Sequence, residues 1–282
     1  MRHSTDKRWI DVIRYQDDGS SIMRRKEDQI ATEEPLEIRV QIREDEAQSV
    51  GTLMRTPGND FELAIGFLVS EGIIEFSESN LVRTIRYCGI DGTAEQDYNI
   101  VTVRLNDEVP LPRSRETLIS SSCGICGTET IDQLMQGVEK LQVGKTFEVR
   151  AIAESLTAVR RRQKIFEVTG GVHAFAICDR DGRPIEVRED VGRHNAFDKV
   201  VGSRYLSGEF DSSEIFGVVS GRIAFELVQK SIRCGLGLLV GVGAPTNLAV
   251  QLANDAGITL LGFAGGNGMN VYSHKERIEI RS

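Results

Sequence analysis

Polar and apolar residues alternate one by one through Leu36-Glu37-Ile38-Arg39-Val40-Gln41-Ile42, the period-two pattern of a strand with one face buried. Residues 48–54 are placed to pair with it across Glu44-Asp45-Glu46. Upstream the chain is mostly polar, with one short alternation in Trp9-Ile10-Asp11-Val12-Ile13-Arg14-Tyr15, and the run Arg24-Arg25-Lys26 reads as a solvated face. Thr56-Pro57-Gly58-Asn59-Asp60 then stops the sheet and caps a helix with the apolar face Phe61, Leu63, Ala64, Phe67 and Leu68, ended by Gly72. Two more strands are expected at 82–88 and 98–105, around the turn Asp91-Gly92. Cys88, at a strand end, reads as a small buried apolar residue.

The second half has a different rhythm. One helix is expected over 153–168, carrying Leu156, Val159, Ile165 and Phe166. Residues 172–178 and 184–189 read as a hairpin across Arg180-Asp181-Gly182. Beyond Gly192, helices at 193–206, 223–233 and 246–256 alternate with near-continuous apolar strands at 215–220, 236–242 and 258–264. That order argues a mostly parallel sheet covered on both faces. A connector at Gln142-Val143-Gly144-Lys145 divides the chain into an N-terminal α+β part, 1–145, and a C-terminal α/β domain, 146–282.

Composition narrows the function classes. With 282 residues, 40% hydrophobic and 27% charged, the chain suits one large or two ordinary globular domains. A net charge of -8 argues against general nucleic-acid binding, which needs a basic footprint. No apolar run approaches a membrane span and the first residues lack the apolar centre of a signal peptide, so a cytoplasmic protein is expected.

Two of the five cysteines stand together in Ser120-Ser121-Ser122-Cys123-Gly124-Ile125-Cys126-Gly127. A helix is expected just after them, because Thr130 with Gln133 forms a capping box opening the pattern Ile131, Leu134, Met135, Val138. The positive end of a helix favours the thiolate, the nucleophilic form, although Glu129 and Asp132 oppose that effect. Other readings compete. Structural zinc would want a second Cys or His pair, whereas Cys88, Cys178 and Cys234 are isolated. A thioredoxin-type pair would follow the first strand of a βαβ unit, and two buried thiols would sit poorly among serines and glycines.

In an open parallel sheet, ligands bind beyond the carboxyl ends of the strands. Those ends carry Ser220-Gly221-Arg222, then Gly241-Val242-Gly243-Ala244-Pro245-Thr246, then Gly262-Phe263-Ala264-Gly265-Gly266-Asn267-Gly268. The glycines admit a ligand close to the main chain, Thr246 opens a helix whose amides face an anion, and Arg222 offers a fork matched to phosphate. A phosphate-bearing ligand, a nucleotide, is therefore expected, set against the fact that any α/β domain has glycines at such turns. No P-loop is present, which disfavours ordinary ATP hydrolysis. Glu189-Asp190-Val191-Gly192-Arg193-His194-Asn195 admits two readings. One is an ion-paired cap in which Asp190 accepts from helix amides and Arg193 pairs with Glu189; the other is a ligand surface where His194 moves protons near neutral pH. Asp198 and Lys199 read as helix-surface residues, and His173 and His274 as structural.

The chain resembles the formate dehydrogenase accessory sulfurtransferases, the FdhD family. The resemblance rests on the segments 121–127, 188–200, 220–228, Gly243-Ala244-Pro245-Thr246, Leu261-Gly262-Phe263-Ala264 and Asn270-Val271-Tyr272-Ser273-His274. It implies a cytidine-deaminase-like, three-layer α/β domain with a mixed sheet, beside a smaller α+β part. Deaminase chemistry itself is not supported, because the His-x-Glu followed downstream by Pro-Cys-x-x-Cys is missing. The resemblance further implies a sulfur carrier that takes sulfane sulfur from a cysteine desulfurase and passes it to the molybdenum bis(molybdopterin guanine dinucleotide) cofactor of formate dehydrogenase. In that scheme the cofactor is bound as substrate, GDP or GTP is its mimic, and the protein holds no metal of its own. Cys123 matches the persulfide-bearing cysteine and Cys126 its neighbour. The cofactor segment falls on Phe263, Ala264, Gly265, Gly266, Asn267 and Gly268, joined by Ser220, Gly221, Arg222 and Gly243 from the residue-level reading. Many family members carry an arginine where this chain has Gly265, so a phosphate contact there is expected from main-chain amides or from Arg222. A homodimer is the expected assembly. The alternatives are a non-catalytic chaperone that binds and protects the cofactor, and a thiol-disulfide oxidoreductase.

Overall fold

The computed structural model describes residues 3–76, 81–89, 96–106, 109, 118–119, 140–141, 145–208 and 212–280. The alternation at Trp9 belongs to a longer ribbon: β1 (Thr5–Tyr15) pairs antiparallel with β2 (Ser21–Ala31), in register from Thr5 opposite Ala31 to Tyr15 opposite Ser21. Gly19, at φ 81, lets the chain reverse between them. Strands β3 (Glu34–Ile42), β4 (Gln48–Arg55), β5 (Val82–Gly89), β6 (Gln96–Leu105) and β7 (Leu118–Ile119) form one sheet in the order β5-β6-β3-β4-β7. Leu36, Ile38 and Val40 are fully buried while the residues between them are only half-buried, as their alternation requires. Cys88 departs from expectation: it is half-buried, with Sγ 3.3 Å from the Thr102 hydroxyl.

Helix α1 (Asp60–Ser70) also departs from a one-faced pattern, since every residue from Leu63 to Ser70 is buried. It lies between the first sheet and the second half of the chain. There the expected single helix is two, α2 (Val149–Arg162) and α3 (Lys164–Thr169), broken at Gln163. The break has a cause: the Glu189 carboxylate accepts from the amides of Ile165 (2.9 Å) and Phe166 (2.8 Å) and so caps a new helix start.

A short strand β8 (Phe147–Glu148) precedes α2; the remaining elements follow the expected order: β9 (His173–Asp179), β10 (Pro184–Asp190), α4 (Arg193–Ser207), β11 (Ile215–Val219), α5 (Phe225–Arg233), β12 (Leu238–Gly241), α6 (Asn247–Ala256) and β13 (Thr259–Gly265). Three strands were not anticipated, β8, β14 (Gly268–Ser273) and β15 (Ile278–Glu279), the last pairing parallel with β8. The six-stranded sheet has the order β10-β9-β11-β12-β13-β14. Only β11/β12 and β12/β13 are parallel, so the sheet is mixed rather than mostly parallel.

Helix α4 is gripped between this sheet and α1. A Cβ on Gly66 would stand 1.7 Å from the Asp198 carbonyl oxygen, and one on Gly202 would stand 1.8 Å from that of Glu62. Only glycine permits such an approach on both helices. Burial on two sides also overturns the surface reading of Asp198 and Lys199, each about 1% exposed. Asp198 pairs with Lys230 at 2.8 Å and accepts from the Ser70 hydroxyl at 2.7 Å. Lys199 pairs with Asp190 at 2.7 Å and donates to the Thr56 carbonyl at 2.8 Å. Burial pushes the Asp198 carboxyl up, and Lys230 opposes that.

The packing makes two expectations for stability. Gly202→Ala should lower unfolding free energy by at least about 1–3 kcal/mol, because a backbone atom cannot step aside as a side-chain tip can. Lys230→Met, which strands Asp198, should cost about 3–5 kcal/mol. Urea unfolding of each variant at neutral pH reads both, and wild-type midpoints would contradict this account of the helix contact.

Candidate functional site

Because β9 runs antiparallel to both of its neighbours, β10, β11, β12 and β13 all point the same way. Their carboxyl ends therefore share one edge of the sheet. That edge gathers the expected loops Ser220-Gly221-Arg222, Gly243-Ala244-Pro245-Thr246 and Phe263-Ala264-Gly265-Gly266-Asn267-Gly268, and adds Asp190-Val191-Gly192-Arg193.

Main-chain bonds lace the loops together. The Gly243 amide donates to the Gly221 carbonyl at 3.1 Å, and the Phe263 amide donates to the Gly243 carbonyl at 3.2 Å. Ser220 is committed to the scaffold: its amide donates to the Ala174 carbonyl at 3.0 Å and its hydroxyl accepts from the Ala174 amide at 2.8 Å. The glycines divide into two kinds. A Cβ on Gly243 would meet the Arg222 nitrogen at 2.9 Å, and one on Gly262 would meet Pro245 Cδ at 2.7 Å, so both are required by loop packing. Gly265, Gly266 and Gly268 have no atom within 4 Å of such a Cβ and line open space.

Phe263 sits at the irregularity in the β13/β14 pairing, with φ 51 and 57% of its residue surface exposed. A bulky residue in left-handed backbone is strained, and strain of this kind gathers at functional sites. Thr246 caps α6 by accepting from the Ala249 amide at 3.3 Å, so the amino end of that helix is not wholly open to an anion.

Asp190 braces the same edge from below. Fully buried, it accepts from the amides of Thr56 (3.1 Å) and Gly192 (2.9 Å) and from Asn195 Nδ2 (2.9 Å), in addition to its Lys199 pair. The expected Arg193–Glu189 pair is absent among the described residues, because Glu189 is occupied in capping α3. The reading of His194 as a proton carrier near neutral pH is also corrected. Burial, with Lys230, Arg193 and His173 close by, lowers its pKa from 6.5 to about 3. His173 is lowered too, by burial and by Arg193. Sequence reasoning left His173 aside, yet it pairs in register with Asp190 and borders Gly221; only the β9/β10 register brings it to the edge.

Cys123 and Cys126 lie outside the described residues. The chain before them is placed at β7, paired with β4 at the rim of the first sheet, and the chain after them at Leu141, whose amide donates to the Ala256 carbonyl at 2.8 Å. Burial pushes the thiols of Cys178 and Cys234 up to about 12, which leaves them protonated and inert at neutral pH. No group of three or more His, Cys, Asp or Glu among the described residues is arranged to hold a metal ion, and no helix among them is long and apolar enough to cross a membrane. A polar cavity of about 470 Å³ lies at the opposite end of β9, lined by Thr146, Arg150, Glu154, Arg180 and Glu279 among others; its arginines already pair with Glu154 and Glu214.

This mixed α/β fold with a laced loop edge has known counterparts. The model of the FdhD/NarQ family matches residues 31–279, and the chain belongs to that family. A protein of Nocardia farcinica named sulfur carrier protein FdhD is 42% identical over 258 residues, covering 90% of this chain and 89% of the relative. One of Streptomyces avermitilis with the same name is 41% identical over 281 residues, covering 96% and 95%. A crystal structure assigned to a formate dehydrogenase accessory protein of Desulfotalea psychrophila shares the fold with a TM-score of 0.72 over 97% of this chain and 99% of the other, at 22% identity.

The histidine shift makes stability depend on pH. Below about 6.5 the unfolded chain takes up a proton that folded His194 refuses, so its contribution is complete above that pH and drains away as pH falls toward 3. Unfolding free energy measured in urea from pH 7 to 5 should fall with a slope approaching about 1.4 kcal/mol per unit from this group. His194→Asn should flatten it, and an unchanged slope would refute the assignment.

Proposed function

We propose that this chain is a sulfur carrier that takes sulfane sulfur from a cysteine desulfurase as a persulfide on Cys123 and delivers it to the molybdenum bis(molybdopterin guanine dinucleotide) cofactor before insertion into formate dehydrogenase. Support for the sulfur half comes from the relatives' name and from Cys123-Gly124-Ile125-Cys126. The ligand half rests on one observation above all: an exposed, left-handed Phe263 beside open glycines at the edge where four strands end. Its ring offers a face to a guanine base, while main-chain amides of the Gly266-Asn267 turn and the Arg222 guanidinium offer donors to phosphate. The second half of the chain is read as the cytidine-deaminase-like layer domain.

The sulfur chemistry balances with these residues. The Cys123 thiolate attacks the outer sulfur of a donor persulfide, the S–S bond breaks, and the donor cysteine leaves as thiolate. Attack of the Cys126 thiolate on the inner sulfur then releases hydrosulfide to the metal and leaves a Cys123–Cys126 disulfide, which a cellular thiol reopens.

Two measurements test the reading. After incubation with desulfurase and cysteine, intact mass should show one added sulfur that Cys123→Ala abolishes; persulfide retained in full by the variant moves the acceptor elsewhere. A Cys123→Ala protein that still yields fully active formate dehydrogenase would favour the protective chaperone. By calorimetry GDP should bind in preference to ADP, and Phe263→Ala should weaken GDP by roughly 1–3 kcal/mol through lost stacking. Equal affinity for both nucleotides would argue against a guanine site.

A further inference from the structure

The amino end of α4 holds positive charge that nothing in the described protein neutralises. Both oxygens of Asp190 are taken by Thr56, Gly192, Asn195 and Lys199, and both of Glu189 by the start of α3. Arg193 is left without an ion pair among the described residues, and its Nε is buried with no hydrogen-bond partner. The neighbouring His194 Nε2 is likewise buried and unpartnered. Leaving a buried guanidinium nitrogen unsatisfied is costly, and an unpartnered imidazole nitrogen on the next residue adds to that cost.

These groups lie beside the glycine loops. His173, opposite Asp190 in the β9/β10 register, brings Nδ1 within 3.3 Å of the position a Gly221 Cβ would take, and it interacts electrostatically with Arg193. Arg222 follows on the same turn, exposed and also without an ion pair among the described residues. The helix dipole adds to the positive field at Arg193. From the β11 turn to Phe263 on β13 is two strand spacings, about 10 Å, the order of length that separates a base from its pyrophosphate in a nucleoside diphosphate.

We propose that Arg193, with His173 and Arg222, forms an anion subsite at this edge and that it takes the pyrophosphate of a nucleotide whose base lies at Phe263. Arginine suits the task because its fork meets two phosphate oxygens at once. The assignment rests on the guanine-dinucleotide reading of the groove, and it deepens that reading by naming residues outside the glycine loops.

Titration calorimetry of the full-length protein with inorganic pyrophosphate, GDP, ADP and guanosine separates the two ideas. Arg193→Gln should weaken pyrophosphate and GDP about 10- to 100-fold, leave guanosine unchanged, and be partly recovered in Arg193→Lys. Arg222→Gln, which removes an exposed side chain and threatens no packing, should act in the same direction and serves if Arg193→Gln does not fold. Wild-type protein that ignores pyrophosphate, or variants that bind GDP as wild type does, would overturn the subsite. Retained pyrophosphate binding with no preference for GDP over ADP would overturn the guanine reading and leave the subsite standing.

Discussion

The close crossing of α1 and α4 at Gly66 and Gly202 is the constraint on which the rest of the molecule depends. It brings backbone against backbone, so the helices meet without the spacing that side chains would impose. One apolar core then runs from Leu36 and Val103 in the first sheet, through Phe197 of α4, to Leu239 and Leu260 in the second sheet. A consequence follows for charge: polar residues of α4 that would reach water on an outer helix are carried inside. The two carried deepest, Asp198 and Lys199, find internal partners in Lys230 and Asp190. Breaking such a pair is far more damaging than never having made it, which ties the two halves to a single arrangement.

The same requirement shapes the loop edge. Successive residues of a strand point to opposite faces, so Glu189 and Asp190 perform opposite tasks. Glu189 turns outward to start α3, while Asp190 turns inward to hold Thr56 from the first sheet and Asn195 from α4. The amino end of α4 is thus fixed from both halves of the chain at once. That bracing places Arg193 and His194, whose Nε and Nε2 have no hydrogen-bond partner among the described residues.

Much of this was legible in the sequence where burial is one-sided. Strict alternation found β3, apolar runs found β11 to β13, and the Arg180-Asp181-Gly182 turn found the hairpin of β9 and β10. Reading failed where long-range contacts override local pattern. Arg193-His194-Asn195-Ala196-Phe197-Asp198-Lys199 looks amphipathic, and nothing local says that its polar side will face another helix. The break at Gln163 depends on Glu189, 26 residues later in sequence, and β14 is too polar to resemble its buried neighbours. Of the candidate site, the glycine loops were legible, whereas His173 and Arg193 needed the strand register to be seen as part of the same edge.

The division of labour among the glycines bears on how the groove discriminates. Gly243 and Gly262 are fixed by their neighbours' atoms, so substitution there would deform the loops whatever they bind. Gly265, Gly266 and Gly268 face open space, and a side chain at any of them would project into it. A turn that lacks an arginine at Gly265 carries no charge of its own, and its amides alone bind phosphate weakly against water. For the phosphate-bearing ligand proposed above, the compensating charge would come from across the groove, where Arg222 and Arg193 stand without ion pairs among the described residues. On the proposed nucleotide reading, the bare glycine turn and the unpaired arginines would divide the work, charge being met at the β10 and β11 ends and shape at the β13 end.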